Sequence, residues 1–200
     1  MEEMVMVEEM ELPDSGSRID CPVLVTERLV IRPPHEDDVD ELVALANNPK
    51  VASMLARMPY PYDEDDARTF LRSVHERRNG GCAYALTLAD SGAFIGGAGL
   101  DHKDSGLELG YWIGEPYWGR GYATEAAHAL VDLAFRASGI EVLDVSCRVI
   151  NAGSRRVIHK CGFQYAGQGM MDSVAAGKVP IERYQLDRRT WVSLRSWGRS

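Results

Sequence analysis

The chain has 200 residues, 45% of them hydrophobic, and a formal net charge of −8 at pH 7. That length predicts one domain, and the composition is sufficient for a sizeable core. Seven acids and one base fall within residues 1–20, so the other 180 residues sum to about −2. The body of the chain therefore lacks the basic excess that nucleic-acid binding requires.

Residues 1–20 are expected to form an acidic, flexible arm, and residues 21–200 one folded domain. Glutamates interrupt the apolar residues of the arm, which therefore lacks the continuous apolar run of a secretory signal. No segment of the chain approaches the ~20 apolar residues that a membrane helix needs. These features predict a cytoplasmic protein that binds neither a membrane nor nucleic acid.

The four cysteines are scattered along the chain, as Cys21, Cys82, Cys147 and Cys161. None of them belongs to a CxxC pair, and the five histidines show no metal-ligand spacing either. The pattern predicts neither a disulfide nor a metal site, and it fits a reducing compartment.

The first half of the domain is predicted to hold one strand and then helices. Branched apolar residues are typical of the strand, and apolar residues at helical spacing behind acidic starts are typical of the helices. In chain order, these elements are a strand over 23–32, helices over 36–47 and 50–57, and a helix that begins at Asp63 and ends before Gly80-Gly81.

The second half begins with three short β-like runs joined by Asp-Ser-Gly turns, which predict an antiparallel meander. Its elements are strands over 82–89, 93–100 and 106–113, a helix over 120–138, a strand over 140–149, a helix over 153–161 and strands over 163–172 and 180–188. The strand–helix–strand unit at 107–149 predicts a parallel crossover. The whole order predicts an α/β fold with a mixed, mostly antiparallel sheet of about seven strands flanked by helices.

The segment Trp118-Gly119-Arg120-Gly121-Tyr122-Ala123-Thr124 lies where a strand leads into a helix. Small residues there let a ligand approach unpaired amides at the positive end of a helix, which favours a pyrophosphate. Glycines at this spacing, with Asp144 about 20 residues on, are also compatible with a dinucleotide-binding turn. A five-residue connection and the preceding meander count against the dinucleotide, and an ordinary loop–helix junction stays open.

The same segment resembles the Q/R-x-x-G-x-G/A loop of the GNAT superfamily of N-acetyltransferases. Trp118 departs from the first position, but a Trp there is similar to the RimJ/RimL-type subgroup, which acetylates ribosomal-protein N-termini. The likeness spans about residues 23–188. Its other parts are Thr26-Glu27-Arg28-Leu29, the strand at 108–113, Asn151-Ala152-Gly153-Ser154 and Lys160-Cys161-Gly162-Phe163.

The resemblance implies a GNAT fold with acetyl-CoA as acyl donor and a primary amine as acceptor, in a monomer or homodimer. A protein N-terminus is the leading acceptor class, and a small amine such as an antibiotic, a polyamine or an amino acid is the alternative. A CoA-binding module without catalysis is a hypothesis of another class. By resemblance, the backbone of Trp112 and Ile113 pairs with pantetheine, the amides from Gly119 to Thr124 take the pyrophosphate, and Asn151 binds the pantetheine arm. The expected cofactor contacts are Trp112, Ile113, Trp118, Gly119, Arg120, Gly121, Tyr122, Ala123, Thr124, Asn151 and Ser154.

Acyl transfer to an amine needs a neutral amine, donors for the oxyanion and a proton for the thiolate. Glu108 is the candidate base, because the family often places its base on this strand, although a solvated glutamate is as compatible. The family's usual tyrosine acid is replaced by Ile158. Ser154 stands where the RimJ/RimL-type subgroup has a serine proposed to protonate sulfur, but a helix cap would equally explain it.

The oxyanion donor is expected to be a backbone N–H near Ile113, where the strand would bulge. The acceptor cleft is expected between the helices within 36–79 and the loop near 172–180. Its wall would be apolar and adaptable, although core packing would explain the same side chains, which are Met54, Met58, Tyr60 and Tyr62.

Overall fold

The computed structural model describes residues 21–76, 81–103 and 106–197. The expected acidic arm lies outside these residues. Across the described part, no helix is long and apolar enough to cross a membrane.

The described chain forms eight strands and six α-helices around one sheet. The strands are β1 (Leu24–Val25), β2 (Leu29–Arg32), β3 (Cys82–Leu88), β4 (Phe94–Lys103), β5 (Gly106–Ile113), β6 (Val142–Arg148), β7 (Gln164–Ser173) and β8 (Gly177–Asp187). The helices are α1 (Val39–Ala46), α2 (Pro49–Ala52), α3 (Glu64–His75), α4 (Tyr122–Ala137), α5 (Ala152–Lys160) and α6 (Arg188–Trp197).

The sheet runs in the order β1-β2-β3-β4-β5-β6-β8-β7. Every neighbouring pair is antiparallel except β5 and β6, which are parallel and joined through α4. The predicted mixed sheet and the crossover are therefore confirmed. Eight strands appear where about seven were expected, because the strand predicted over 23–32 folds back on itself as the hairpin of β1 and β2.

The parallel pairing of β5 and β6 is short and decides where the site lies. It runs from Leu107 opposite Leu143 only as far as Leu109 opposite Val145. Both strands continue beyond that point without pairing to each other. A gap therefore opens in the middle of the sheet, between the last residues of β5 and β6.

The two faces of the sheet carry separate cores. On one face, α4 and α5 pack over the larger core, which includes Leu109, Leu130 and Phe163. On the other face, α1 and α3 pack over a smaller core against which Trp112 lies, with its ring 6.0 Å from that of Phe94. Because side chains alternate along a strand, Glu108 and Trp112 of β5 share the α1–α3 face, and Tyr111 lies on the α4–α5 face.

Two helices differ from the prediction. α2 ends at Ala52 rather than near residue 57, and the chain then forms an irregular loop. α6 was not predicted at all. It is tied to α4 by Trp191, whose ring stacks on Phe135 at 5.1 Å and whose indole N–H donates to Asp132 over 2.8 Å.

The structure pairs Cys21 with Cys82 as a disulfide, with their Cα atoms 5.6 Å apart. The expectation of no disulfide is wrong for this pair. Cys21, which precedes β1, lies beside Cys82 at the start of β3, although the two residues are 61 positions apart in the sequence. A spacing pattern carries no information on such a contact. Cys147 and Cys161 are free and buried.

Candidate active site

The glycine loop before α4 has a backbone that only glycine adopts without strain. Gly119 and Gly121 have φ of 76° and 86°, in the left-handed region. Gly121 caps α4, and the cap has no side-chain hydrogen bond. Within the described residues, the amides of the first turn, from Tyr122 to Thr124, donate to no protein acceptor. Free amides at a helix N-terminus form a site for an anion.

The loop is held in place by the hairpin of β1 and β2. Glu125, in the first turn of α4, accepts 2.7 Å hydrogen bonds from the hydroxyl of Thr26 and from Nε of Arg28. Arg28 also donates to the carbonyl of Arg120 over 2.9 Å. Burial raises the pKa of Glu125, but these donors outweigh it, so the pKa lies below its ordinary value. The carboxylate therefore stays charged and fixes the loop to the sheet.

Backbone direction along β5 decides which amides face the gap. Gly114 donates its N–H to the carbonyl of Ile95, on the β4 side. The N–H and C=O groups of successive residues in a strand point to opposite sides. The backbone groups of Trp112 therefore also point to β4, and those of Tyr111 and Ile113 point to the gap. This differs from the expectation for Trp112, and Tyr111 takes its place as a candidate to pair with an extended ligand.

Trp118 lies beside the same gap. Its indole N–H donates to the carbonyl of Ile113 over 2.6 Å, so that carbonyl is already satisfied and Ile113 offers its N–H. β5 pairs with β4 through Ile113 without a register shift. The bulge expected near Ile113 is therefore not observed, although its N–H still points into the gap.

Asn151 and Ser154 lie at the start of α5, next to the gap. Asn151 caps the helix by accepting the N–H of Ser154 over 2.9 Å, so the serine itself is not the cap. The hydroxyl of Ser154 lies 2.9 Å from that of Tyr111. Burial raises the pKa of Tyr111 above its ordinary value, with the Ser154 hydrogen bond opposing the rise. The result is a protonated pair of hydroxyls between β5 and α5, which the sequence did not reveal.

Glu108 lies on the opposite face of the sheet, just before the gap. Its carboxylate accepts a 2.7 Å hydrogen bond from the hydroxyl of Ser146 in β6. Lys103 lies 3.4 Å away. The Glu108 side chain is 26% exposed, so it is held in position and still open to a ligand.

One cavity of about 1990 Å³ joins these groups. Glu108, the glycine loop, Asn151 and Ser154 all line it. A ligand in the gap can therefore meet the carboxylate from one face of the sheet and the hydroxyl pair from the other.

The far end of the cavity is formed by the loop after α2 and the turn between β7 and β8. The N–H of Val174 donates to the carbonyl of Ala56 over 2.9 Å, and the hydroxyl of Ser173 donates to that of Leu55 over 2.8 Å. Three of the four expected wall residues line the cavity, namely Met54, Met58 and Tyr62. Tyr60 does not line it and is 50% exposed.

A covalent route through cysteine finds no support in the geometry. Burial raises the pKa of Cys161 to about 12, so its thiol stays protonated and is a poor nucleophile. Among the described residues, no cluster of His, Cys, Asp and Glu could hold a metal ion.

Comparison with known proteins gives one consistent picture. Residues 28–164 match the family described as "Acetyltransferase (GNAT) domain". The chain is similar to the uncharacterized N-acetyltransferase p20 of Bacillus licheniformis, at 26% identity over 175 residues, which cover 84% of this chain and 98% of p20. A GNAT-family acetyltransferase of Bacillus anthracis has the same fold, with a TM-score of 0.73 at 21% identity, over 84% of this chain and 99% of that one. RimJ of Mycobacterium smegmatis, solved with CoA-disulfide, superposes with a TM-score of 0.71 at 17% identity, over 86% and 90% of the two chains.

Proposed function

We propose that this chain, which belongs to the GNAT family of acetyltransferases, acetylates the N-terminal amine of a protein or peptide. The family uses acetyl-CoA as the acyl donor, and the chain is an acyltransferase. The observation that carries the proposal is the cavity through the sheet, with an acyl-donor side at the glycine loop and a carboxylate on the other side.

The glycine loop and the gap fit an extended ligand with a pyrophosphate. Free amides from Tyr122 to Thr124 offer donors to the phosphates, and the space above Gly119 is open. Backbone groups of Tyr111 and Ile113 would pair with the pantetheine arm as an added strand does, and the side-chain amide of Asn151 would contact that arm. These donors are supplied by the backbone, which explains why glycine occupies positions 119 and 121 of the loop, where the ligand would approach.

In the proposed reaction, the acceptor nitrogen attacks the thioester carbonyl, forming the C–N bond and releasing CoA as a thiolate. Glu108 takes the proton of the amine, directly or through one water. The N–H of Tyr111, which also points into the gap and lies nearer to Glu108 along β5 than that of Ile113, stabilises the oxyanion, while the carbonyl of Tyr111 and the N–H of Ile113 stay available to the pantetheine arm.

Ser154 gives its proton to the thiolate and is reprotonated from Tyr111. After the products leave, Tyr111 regains a proton from solvent and Glu108 releases the proton of the amine to solvent. Transfer is direct, because burial raises the pKa of both free cysteines among the described residues, Cys147 and Cys161, so neither offers a thiolate nucleophile.

A protein N-terminus fits the acceptor side better than a polyamine does. A polyamine requires unpaired carboxylates along its length, but Asp101 is paired with Arg57 and Glu108 with Ser146 and Lys103. Asp144 accepts a hydrogen bond from Gln185 over 2.9 Å. An apolar wall whose carboxylates already have protein partners suits a peptide that presents a single amine.

The proposal is tested first by thermal shift and then by turnover. Acetyl-CoA at about 100 times its Kd should stabilise the protein by ~2.7 kcal/mol, which is several degrees in Tm, and NAD should not. An acceptor panel of peptide N-termini and small amines, with free thiol as the readout, should show turnover with peptides. Stabilisation by acetyl-CoA without turnover on any amine would instead indicate a binding module, and stabilisation by NAD alone would overturn the cofactor assignment.

The hydroxyl pair of Ser154 and Tyr111 leads to a prediction about protonation of the leaving thiolate. Ser154→Ala and Tyr111→Phe should each lower kcat by about three- to tenfold, less than is usual for a general acid, because a thiolate is a tolerable leaving group. The deficit should widen above pH ~8.5, where solvent no longer protonates the released thiolate. Measurement of kcat against pH checks this.

The matched control for the pair is Tyr165→Phe, because Tyr165 is exposed and lies outside the cavity. Ser154→Ala leaves the cap by Asn151 in place, since the cap uses the backbone N–H. A kcat that falls equally at every pH, together with a lower Tm, would mean that the pair is structural.

A further inference from the structure

Arg183 is a cation on the acceptor side of the cavity that the proposed chemistry does not use. It lies in β8 directly opposite Ser146 of β6, whose hydroxyl holds Glu108. Its side chain is exposed and lines the cavity. Arg183 therefore lies one strand beyond the hydroxyl that positions the proposed base.

The neighbouring cations on this face are already paired. Arg57 forms an ion pair with Asp101, and Lys103 lies 3.4 Å from Glu108. In the stretches that the structure describes, the guanidinium of Arg183 has neither a hydrogen bond nor an ion pair. Its N–H donors are therefore available to a ligand.

Gly169 of β7 makes room for this guanidinium. A Cβ on Gly169 would lie 2.7 Å from Nη2 and 2.9 Å from Cζ of Arg183, closer than atoms approach without a shift. The guanidinium therefore packs against the backbone of β7. A side chain that is already restrained loses less conformational freedom when it binds a ligand.

The position of Arg183 sets the spacing of the group that it would bind. β6 lies between β5 and β8, and neighbouring strands are about 4.8 Å apart, so Glu108 and Arg183 stand on strands about 10 Å apart. The Glu108 side chain reaches toward Ser146 of β6, but the guanidinium of Arg183 lies over Gly169 of β7, one strand further from Glu108. The two charged groups are therefore separated by about two strand spacings, or about 10 Å, which is the length of about three extended residues.

We propose that Arg183 binds an anionic group of the acceptor, so that this enzyme acetylates amines with a carboxylate two or three residues away. The guanidinium suits this role because its planar fork matches a carboxylate with two parallel hydrogen bonds. The inference rests on the proposed function, since it takes Glu108 to mark the place of the amine. The carboxylate can come from an acidic residue near a peptide N-terminus, and a small amino acid would reach the guanidinium only if Arg183 moved away from Gly169.

The test compares acceptors that differ only in charge. Peptides that begin Ser-Ala-Glu, Ser-Ala-Gln and Ser-Ala-Lys, together with free glutamate and its diamide, are assayed with wild type, Arg183→Gln and Arg183→Glu. Wild type should prefer Ser-Ala-Glu to Ser-Ala-Lys by at least ~10-fold in kcat/KM. Arg183→Gln should reduce this preference to within about threefold, and Arg183→Glu should reverse it. Gly169→Ala should weaken the preference without removing the charge.

Arg189→Gln is the control, because Arg189 is exposed and lies outside the cavity. It should keep the wild-type preference, and all variants should keep the KM of acetyl-CoA. Peptide turnover with no preference for acid, or a preference that Arg183→Glu leaves unchanged, overturns this inference and leaves the proposed function standing. Turnover of free glutamate alone, lost in Arg183→Glu, supports the inference and overturns the peptide acceptor. No turnover with either class overturns both.

Discussion

The Glu108→Gln variant should lose at least ~10-fold in kcat with an amine acceptor and keep wild-type affinity for acetyl-CoA. Glutamine preserves the size of the side chain and can still accept the hydrogen bond that Ser146 donates over 2.7 Å. It cannot take a proton from the amine. Because Glu108 faces the α1–α3 side and the glycine loop lies at the gap, the substitution leaves the acyl-donor contacts intact.

The pH profile separates a base from a merely positioned carboxylate. If Glu108 takes the proton, the acid limb of kcat/KM in Glu108→Gln should follow the pKa of the acceptor amine, because the remaining rate depends on the fraction of neutral amine. That dependence should be stronger for a lysine amine than for a terminal amine, because their ordinary pKa values are about 10.4 and about 8.

Asp144→Asn is the matched control for this prediction. Asp144 lies opposite Glu108 in the parallel pair of β5 and β6 and also lines the cavity. Its carboxylate accepts from Gln185 and has no proposed part in catalysis. The control should stay within about threefold of wild type. An unchanged rate in Glu108→Gln would remove Glu108 from the mechanism, and equal losses in both variants would indicate a general electrostatic effect.

The fold was predictable where local pattern determines structure. The change from helical to alternating periodicity after Gly81 gave the meander, and the strong periodicity of 120–138 gave α4. What the sequence did not reveal depends on contacts between distant residues. The pairing of Cys21 with Cys82 and the docking of α6 through Trp191 both require the completed sheet, which no local pattern encodes.

The candidate site could be predicted from the sequence at the glycine loop before α4, but only partly along β5. Positions of small residues before a helix indicated free amides, and Gly119 and Gly121 have the left-handed backbone that this requires. The direction of backbone groups along β5 depends on its register with β4, so sequence alone could not separate Trp112 from Tyr111. The contact of Tyr111 with Ser154 joins residues 43 apart and was likewise out of reach.

The second large effect is expected at Gly119. Gly119→Ala should raise the Kd for acetyl-CoA at least ~10-fold, which corresponds to ~1.4 kcal/mol. A Cβ at this position meets no protein atom within 4 Å, so the methyl group would project into open space at the loop, which lines the cavity. It would occupy the place where the phosphates approach the amides. Calorimetric titration with acetyl-CoA measures the change.

Gly92→Ala distinguishes this effect from backbone strain. Gly92 has φ of 75°, against 76° for Gly119, and a Cβ on Gly92 also meets nothing within 4 Å. Unlike Gly119, Gly92 lies in the turn between β3 and β4, away from the cavity. Both variants should lose a similar ~1 kcal/mol of stability, because alanine is strained in the left-handed region. Only Gly119→Ala should weaken acetyl-CoA binding. Equal affinities in the two variants would mean that the phosphates do not approach the backbone at Gly119, and the proposed cradle would then have to lie elsewhere along the cavity.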